Sequence, residues 1–202
     1  NIDEITDNKM VKYREDLAKK INYRIIDKFY NILDDIILNL NSKNNTKLKA
    51  KILGSYCRGA PESGDVDVLF YSKINGEIDY IDEFLNKLRK RNILIDIDKN
   101  GTIKKRIVCK LEDSHAFQCD IEIVHNYEEE YFYELLYFTG SDNFVKAMRD
   151  HADKCGYRLT NNKMTDSDGE KIIVKSEREI FDLLGVVWTE PENRTGKLNL
   201  KI

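Results

Sequence analysis

Apolar residues recur every three or four positions from Arg24 to Leu40, as Ile25, Ile26, Phe29, Ile32, Leu33, Ile36, Ile37 and Leu40. That period predicts an amphipathic helix, and Val11–Ile21 predicts a shorter one before it. Beyond the polar connector Asn41–Lys47, apolar runs predict strands over Lys49–Tyr56 and Val66–Tyr71, separated by a loop through Gly64. Asp79–Arg91 returns to helical spacing. Strands follow over Ile93–Ile97, Ile103–Leu111 and Phe117–Val124, the first two turning at Asn100-Gly101, a favoured hairpin pair. From Tyr127 the pattern is helical again, broken at Thr139-Gly140 and restarted by Ser141-Asp142, side chains suited to an N-cap. Gly156 ends that helix, a hairpin turns at Ser167-Asp168-Gly169, and a helix capped by Ser176 follows. The expected class is α+β: two helices, a mixed sheet with one more helix, then a helical and hairpin module.

Composition narrows the class. The 202 residues are 41% hydrophobic and 34% charged, a globular balance with material for a core. The best candidate for a membrane span, Ile25–Leu40, is interrupted by Asp27, Lys28, Asp34 and Asp35, so no membrane partner is expected. Nothing near the start has the form of a signal peptide, and the first residue is Asn1 rather than Met. Cys57, Cys109, Cys119 and Cys155 form no CxxC and no zinc-type spacing with His115, His125 and His151. Free thiols in a reducing, intracellular compartment are expected. The net charge of −3 is the wrong sign for a nucleic-acid binder until its distribution is read. Lys104, Lys105 and Arg106 make a basic strip, whereas Leu111–Leu136 has no Lys or Arg but carries Glu112, Asp113, Asp120, Glu122, Glu128, Glu129, Glu130 and Glu134. A divalent-metal enzyme acting on a polyanion needs such segregation; a solvated run of surface charge explains it equally well.

The candidate chemistry lies in Gly54-Ser55-Tyr56-Cys57-Arg58-Gly59 and Ser63-Gly64-Asp65-Val66-Asp67. Asp65 and Asp67 stand two apart at the start of an expected strand, which turns both to one face. Two carboxylates there repel unless a cation lies between them, and a hard divalent ion such as Mg2+ suits them. Gly54-Ser55 at a strand end lets backbone N–H groups and a hydroxyl approach phosphate oxygens, while Arg58 adds a cationic fork. Asp120 sits between apolar residues on the last expected strand of the sheet, where an unpaired charge is costly, and is the candidate third ligand of a two-metal site. Taken singly, the Asp65–Asp67 pair reads as well as a surface accident, and Asp120 as the partner of a lysine.

Together these residues resemble the nucleotidyltransferase superfamily and, within it, the family X DNA polymerases typified by DNA polymerase beta. Gly54-Ser55, Asp65, Asp67 and Cys119-Asp120-Ile121 belong to the superfamily pattern. Tyr137-Phe138-Thr139-Gly140-Ser141 and Glu190-Pro191 with Arg194 are specific to family X, supported by Ser176-Glu177-Arg178-Glu179-Ile180-Phe181. The resemblance covers roughly Lys12–Arg194. It implies a linking helix over 1–23, a catalytic palm over 24–126 with helices on one side of its mixed sheet, and a thumb-type nucleotide-selection subdomain over 127–202. It further implies two Mg2+ ions, with Mn2+ able to substitute: Asp65 and Asp67 bind both, and Asp120 binds the one beside the primer 3′-hydroxyl. Ser55, Arg58 and the backbone at Gly54 and Gly64 would grip the nucleotide phosphates. Arg24 matches by spacing an arginine on the triphosphate, or is a surface helix charge. Tyr137 and Phe138 would lie under the deoxyribose, Gly140 would bend the chain so that Tyr137 opposes a 2′-hydroxyl, and Asp142 would flank the incoming base; the aromatics also read as the core of a helix end. Lys146 and Arg149 would face the template, and the strip Lys104, Lys105 and Arg106 would hold DNA phosphates. The implied partners are a dNTP and primer-template or gapped DNA, met by a monomer in the nucleus, or in the cytoplasm if the source is viral.

Four positions depart from the family. Cys57 replaces a second arginine, Gln118 an arginine that orients the catalytic Asp, and Val145 an asparagine that bonds the minor-groove edge of the incoming base. Glu122 replaces another arginine, so no inactive-state salt bridge to a metal-binding Asp is expected. About twenty residues precede Arg24, too few for the family's lyase domain and fingers. The implied activity is template-directed DNA polymerisation in short-gap repair. A template-independent nucleotidyltransferase acting on RNA ends or a small molecule is the alternative, and a catalytically dead binding module a third. The short segment Glu112–Ala116 favours use of a template, Tyr137-Phe138 favours deoxynucleotides, and the intact Asp65, Asp67 and Asp120 argue against the third.

Overall fold

The structure is a computed structural model that describes residues 11–74 and 76–201. The chain divides into two units, Asn1–Ile52 with Ala60–His125, and Leu53–Gly59 with Asn126–Ile202. In the first, the Asn22 side chain accepts the Arg24 N–H and opens the helix α1 (Tyr23–Asn44), whose buried stripe is Ile26, Phe29, Leu33, Ile36, Ile37 and Leu40. The linking helix expected over 1–23 is corrected. Residues 1–10 lie outside the described residues; of those after them Val11 and Arg14–Leu17 are helical, whereas Ile21–Asn22 (β1) pairs with Glu62–Ser63 (β3). Tyr13 supplies no side-chain cap to the short helix, and Ile21 is buried in the strand pair instead of on a helix face.

The main sheet comprises β2 (Lys49–Ile52), β4 (Val66–Tyr71), β5 (Leu94–Asn100), β6 (Lys104–Cys109) and β7 (Phe117–Ile123), ordered β2-β4-β7-β6-β5. β4 and β7 run parallel and the other pairs antiparallel. The strand expected over 49–56 stops at Ile52, because Gly54 takes a φ of 63° and the chain closes one helical turn, Gly54–Cys57. Between β4 and β5 runs α2 (Ile81–Lys90), entered through a 3-10 turn at Glu77–Tyr80. Strand alternation gives the sheet two faces. Val68 and Phe70 share one with Phe117, Cys119, Ile121 and Ile123, all buried. On that face Phe29 of α1 meets Phe117 edge-on at 5.3 Å and Phe84 of α2 meets Phe70 at 5.4 Å. Each buried ring contributes roughly 1.5–3 kcal/mol. Both helices therefore cover the apolar face. The opposite face carries Asp67, Asp120 and Arg106 in one cross-strand row and Leu69, Glu122 and Lys104 in the next.

The second unit has the helices α3 (Tyr127–Thr139), α4 (Asp142–Lys154) and α5 (Glu177–Leu183), and a three-stranded antiparallel sheet β8 (Arg158–Leu159), β9 (Met164–Thr165) and β10 (Lys171–Ile172). Asn126, Ser141 and Ser176 cap the three helices through their side chains, as their residue types favour. Tyr133, Leu136, Phe144, Met148, Ile180 and Phe181 form its core. Arg194, whose side chain is fully buried, joins Glu177 at 2.6 Å. Its guanidinium lies over the rings of Phe144, Phe181 and Trp188, 5.1 to 5.5 Å from each centre. The Glu-Pro-x-x-Arg motif thus supplies a core cation held by a carboxylate and three π-faces. Among the described residues no helix is long and apolar enough to cross a membrane, and all four cysteines are free thiols.

Candidate active site

Asp67 and Asp120 stand opposite each other on the parallel strands β4 and β7, so both carboxylates rise from the same sheet face, opposite the one that α1 and α2 pack on. Asp65 lies just before β4, in the bend that follows β3. Burial raises its carboxyl above the ordinary range, and the charge of Asp120 adds to that rise. Asp120 is 4% exposed. Its Oδ1 accepts Nε of Arg106 at 2.8 Å and its Oδ2 accepts Nη2 at 3.1 Å. Lys104 Nζ stands 3.1 Å from Oδ2, and Gln118 donates Nε2 to Oδ1 at 3.2 Å. Burial works to raise the Asp120 carboxyl, but the Arg106 hydrogen bond and the Lys104 charge carry it below the usual carboxylate range. Glu122, in the next row, is pushed up by burial.

With Glu122 in place of an arginine no salt bridge to this Asp is expected, yet the network makes one from another strand, and Lys104 is the lysine partner held open for Asp120. Gln118 and Glu122 do not supply that pair; Arg106 and Lys104 reach Asp120 from the neighbouring strand. It also redistributes the basic strip. Lys105, between them, points to the helix-covered face, where it is 6% exposed and donates to Asn100 at 2.6 Å. The three side chains therefore do not form one outward surface, and Lys105 is not placed to meet DNA. Strand alternation could have shown this from sequence; the partner of Arg106 needed the register of β6 on β7.

Among the described residues no three His, Cys, Asp or Glu side chains are gathered closely enough to hold a metal ion as they stand. The donor chemistry nonetheless fits one. Asp65, Asp67 and Asp120 offer hard carboxylate oxygens on or beside the adjacent inner strands β4 and β7, and the cations on Asp120 hold oxygens that a divalent ion would need. Arg24 is exposed at the start of α1, next to the β1–β3 pair that leads into Gly64.

The other expected nucleotide residues fall in the second unit. Gly54 and Ser55 begin the helical turn after β2. Arg58 closes that turn and donates Nη1 to the Thr139 carbonyl at 2.6 Å. The structure thereby brings the Gly54–Cys57 turn against the Thr139-Gly140 bend, two segments far apart in sequence. Gly140 has a φ of 67°, and a Cβ there would lie 2.9 Å from Arg58 Nη1. The Gly140–Ser141 peptide is cis. Ser141 Oγ donates to the Arg194 carbonyl at 2.8 Å, so the core cation also anchors the bend. Phe138 is buried, Tyr137 half-buried and Asp142 exposed at the first turn of α4. Arg149 lies over the Tyr137 ring at 5.4 Å and donates to Asn161, while Lys146 is exposed and pairs with Asp150. Val145 is 5% exposed.

A family model of the DNA polymerase beta palm matches residues 24–132, and one of the DNA polymerase beta thumb matches residues 134–195. DNA polymerase lambda of Rattus norvegicus is 29% identical over 167 residues, 74% of this chain. The chain spans 29% of that relative's length. With the palm and thumb models matched end to end along most of its length, the chain belongs to the family X DNA polymerases.

Proposed function

We propose that the chain is a template-directed DNA polymerase, adding dNTPs to a primer 3′-hydroxyl on primer-template or short-gapped DNA in repair. The observation that carries this reading is the pairing of Asp67 with Asp120 on adjacent parallel strands, with Asp65 beside them, in a chain of this family. In the reaction the 3′-oxygen attacks the α-phosphorus, loses its proton, and the bond to pyrophosphate breaks. Asp65, Asp67 and Asp120 would hold two Mg2+ ions, or Mn2+ in their place. Such ions lower the pKa of the attacking hydroxyl and offset the charge on the leaving pyrophosphate. Ser55, Arg58 and Arg24 bind the triphosphate, helped by the backbone at Gly54 and Gly64. Tyr137 and Phe138 lie under the deoxyribose, Gly140 sets the bend that lets Tyr137 exclude a 2′-hydroxyl, and Asp142 flanks the base. Lys104, Lys146 and Arg149 face DNA. The enzyme works as a monomer.

Asp120→Ala tests this. Extension of a labelled primer on gapped DNA is expected to fall below detection while nucleotide binding persists, because Asp65 and Asp67 remain. Near-normal extension would overturn the mechanism. With each dNTP supplied alone, only the templated nucleotide should be added; addition irrespective of template would favour the template-independent alternative.

A further inference from the structure

Arg106 holds both oxygens of Asp120 with one rigid fork, at 2.8 and 3.1 Å. Lys104 and Gln118 take one further lone pair on each oxygen. A carboxylate has about four acceptor sites, so these donors fill it, and a cation can bind only if one of them leaves. Lys104 is long, 41% exposed, and can turn to water. Arg106 is different, because a guanidinium stays charged at every relevant pH and its departure must end on another acceptor. Such an acceptor is at hand. Asp98 Oδ2 stands 3.9 Å from Nη1 of Arg106, and the Asp98 side chain is only 15% exposed. The β5–β6 register shifts between Ile97 and Lys99, and this irregularity turns Asp98 toward Arg106 instead of leaving it in plain alternation.

We propose that Arg106 is a positioning residue shared by two carboxylates: it fixes the Asp120 carboxylate in the metal-free enzyme and shifts toward Asp98 when a divalent cation takes an Asp120 oxygen. Asp98 is then a residue that supports metal binding without being a ligand. The proposal rests on the reading of Asp120 as a metal ligand. It also replaces the role of Arg106 as a DNA contact.

The test uses the full chain and Mn2+ alone as probe, with binding followed by the electron paramagnetic resonance signal of free Mn2+. Arg106→Leu should tighten Mn2+ binding, because a competitor for Asp120 is gone. Asp98→Asn, nearly isosteric, should weaken it, since Arg106 loses its second acceptor; outer-shell changes of this kind shift metal affinity by about 10- to 100-fold. At saturating Mn2+, Arg106→Leu should lower kcat for primer extension by about 10-fold or more with KM for the nucleotide little changed. Arg106→Lys, which keeps the charge but loses the fork, should recover the native metal affinity and not the rate. Unchanged Mn2+ affinity in Arg106→Leu and Asp98→Asn would overturn the proposal, as would a loss confined to DNA affinity. Asp120→Asn separates the two levels. If it keeps native Mn2+ affinity, the metal-ligand reading itself fails; if it loses Mn2+ while the other variants do not, only the role of Arg106 and Asp98 fails.

Discussion

Arg58 and Gly140 are matched in size as well as in place. The Arg58 guanidinium occupies the space that a side chain at position 140 would need, 2.9 Å from an ideal Cβ. The backbone there, φ 67° and ψ −153°, is close to a region that only glycine visits readily. Gly140→Ala should therefore cost about 1–3 kcal/mol in backbone strain and displace Arg58 from the Thr139 carbonyl. Denaturant unfolding reads the first effect. Titration with a nonhydrolysable dNTP reads the second, as weakened binding through the lost Arg58 position. Native nucleotide affinity in the variant would show that Arg58 needs no support from the bend.

Tyr133 shows how one helix ties the second unit together. From α3 its hydroxyl donates to the Ile172 carbonyl of β10 at 2.8 Å, and burial pushes its phenol up to about 12. An unfolded tyrosine loses its proton near pH 10, so between about pH 10 and 12 the folded state holds the proton that the unfolded state has released. Stability linked to Tyr133 is thus present below pH 10 and is lost as pH rises toward 12. Tyr133→Phe should remove ~1 kcal/mol at neutral pH and flatten the alkaline slope, a difference that denaturation of both forms from pH 8 to 11.5 would detect.

The same helix was legible in sequence, as were α1, α4 and the strands of the main sheet, because one apolar face repeats within each. The β1–β3 pair was not, since Ile21 and Asn22 bond to residues some forty positions away and two-residue strands carry no period. Asp67 and Asp120 were legible as a pair because carboxylates in apolar strands call for a common partner. The partner of Arg106 was not legible: its orientation follows from alternation, but its partner follows from the register of β6 on β7.

At the scale of the whole molecule, the net charge of −3 conceals a sheet with opposite characters on its two faces. The carboxylates and their cations share one face, while the other is given to the core. That division places the carboxylates on hydrogen-bonded inner strands, backed by the core. Leu53–Gly59 add a second feature. They belong with the C-terminal unit, although Ile52 before them and Ala60 after them belong with the N-terminal one.

The path of that short stretch bears on how such a protein can be dissected or inherited. A fragment beginning at Asn126 lacks Arg58, so the Thr139 carbonyl loses the donor it has in the intact chain. Amide exchange in the last turn of α3 should be faster in the fragment than in the full chain, and equal rates would show the excursion to be dispensable. If the exchange is faster, the C-terminal half of the coding sequence cannot be duplicated or grafted elsewhere without leaving behind seven residues of its own unit, which the N-terminal half encodes. A boundary in the folded chain is then no boundary in heredity, and a recombination point between His125 and Asn126 separates a unit from part of itself even where it preserves the reading frame.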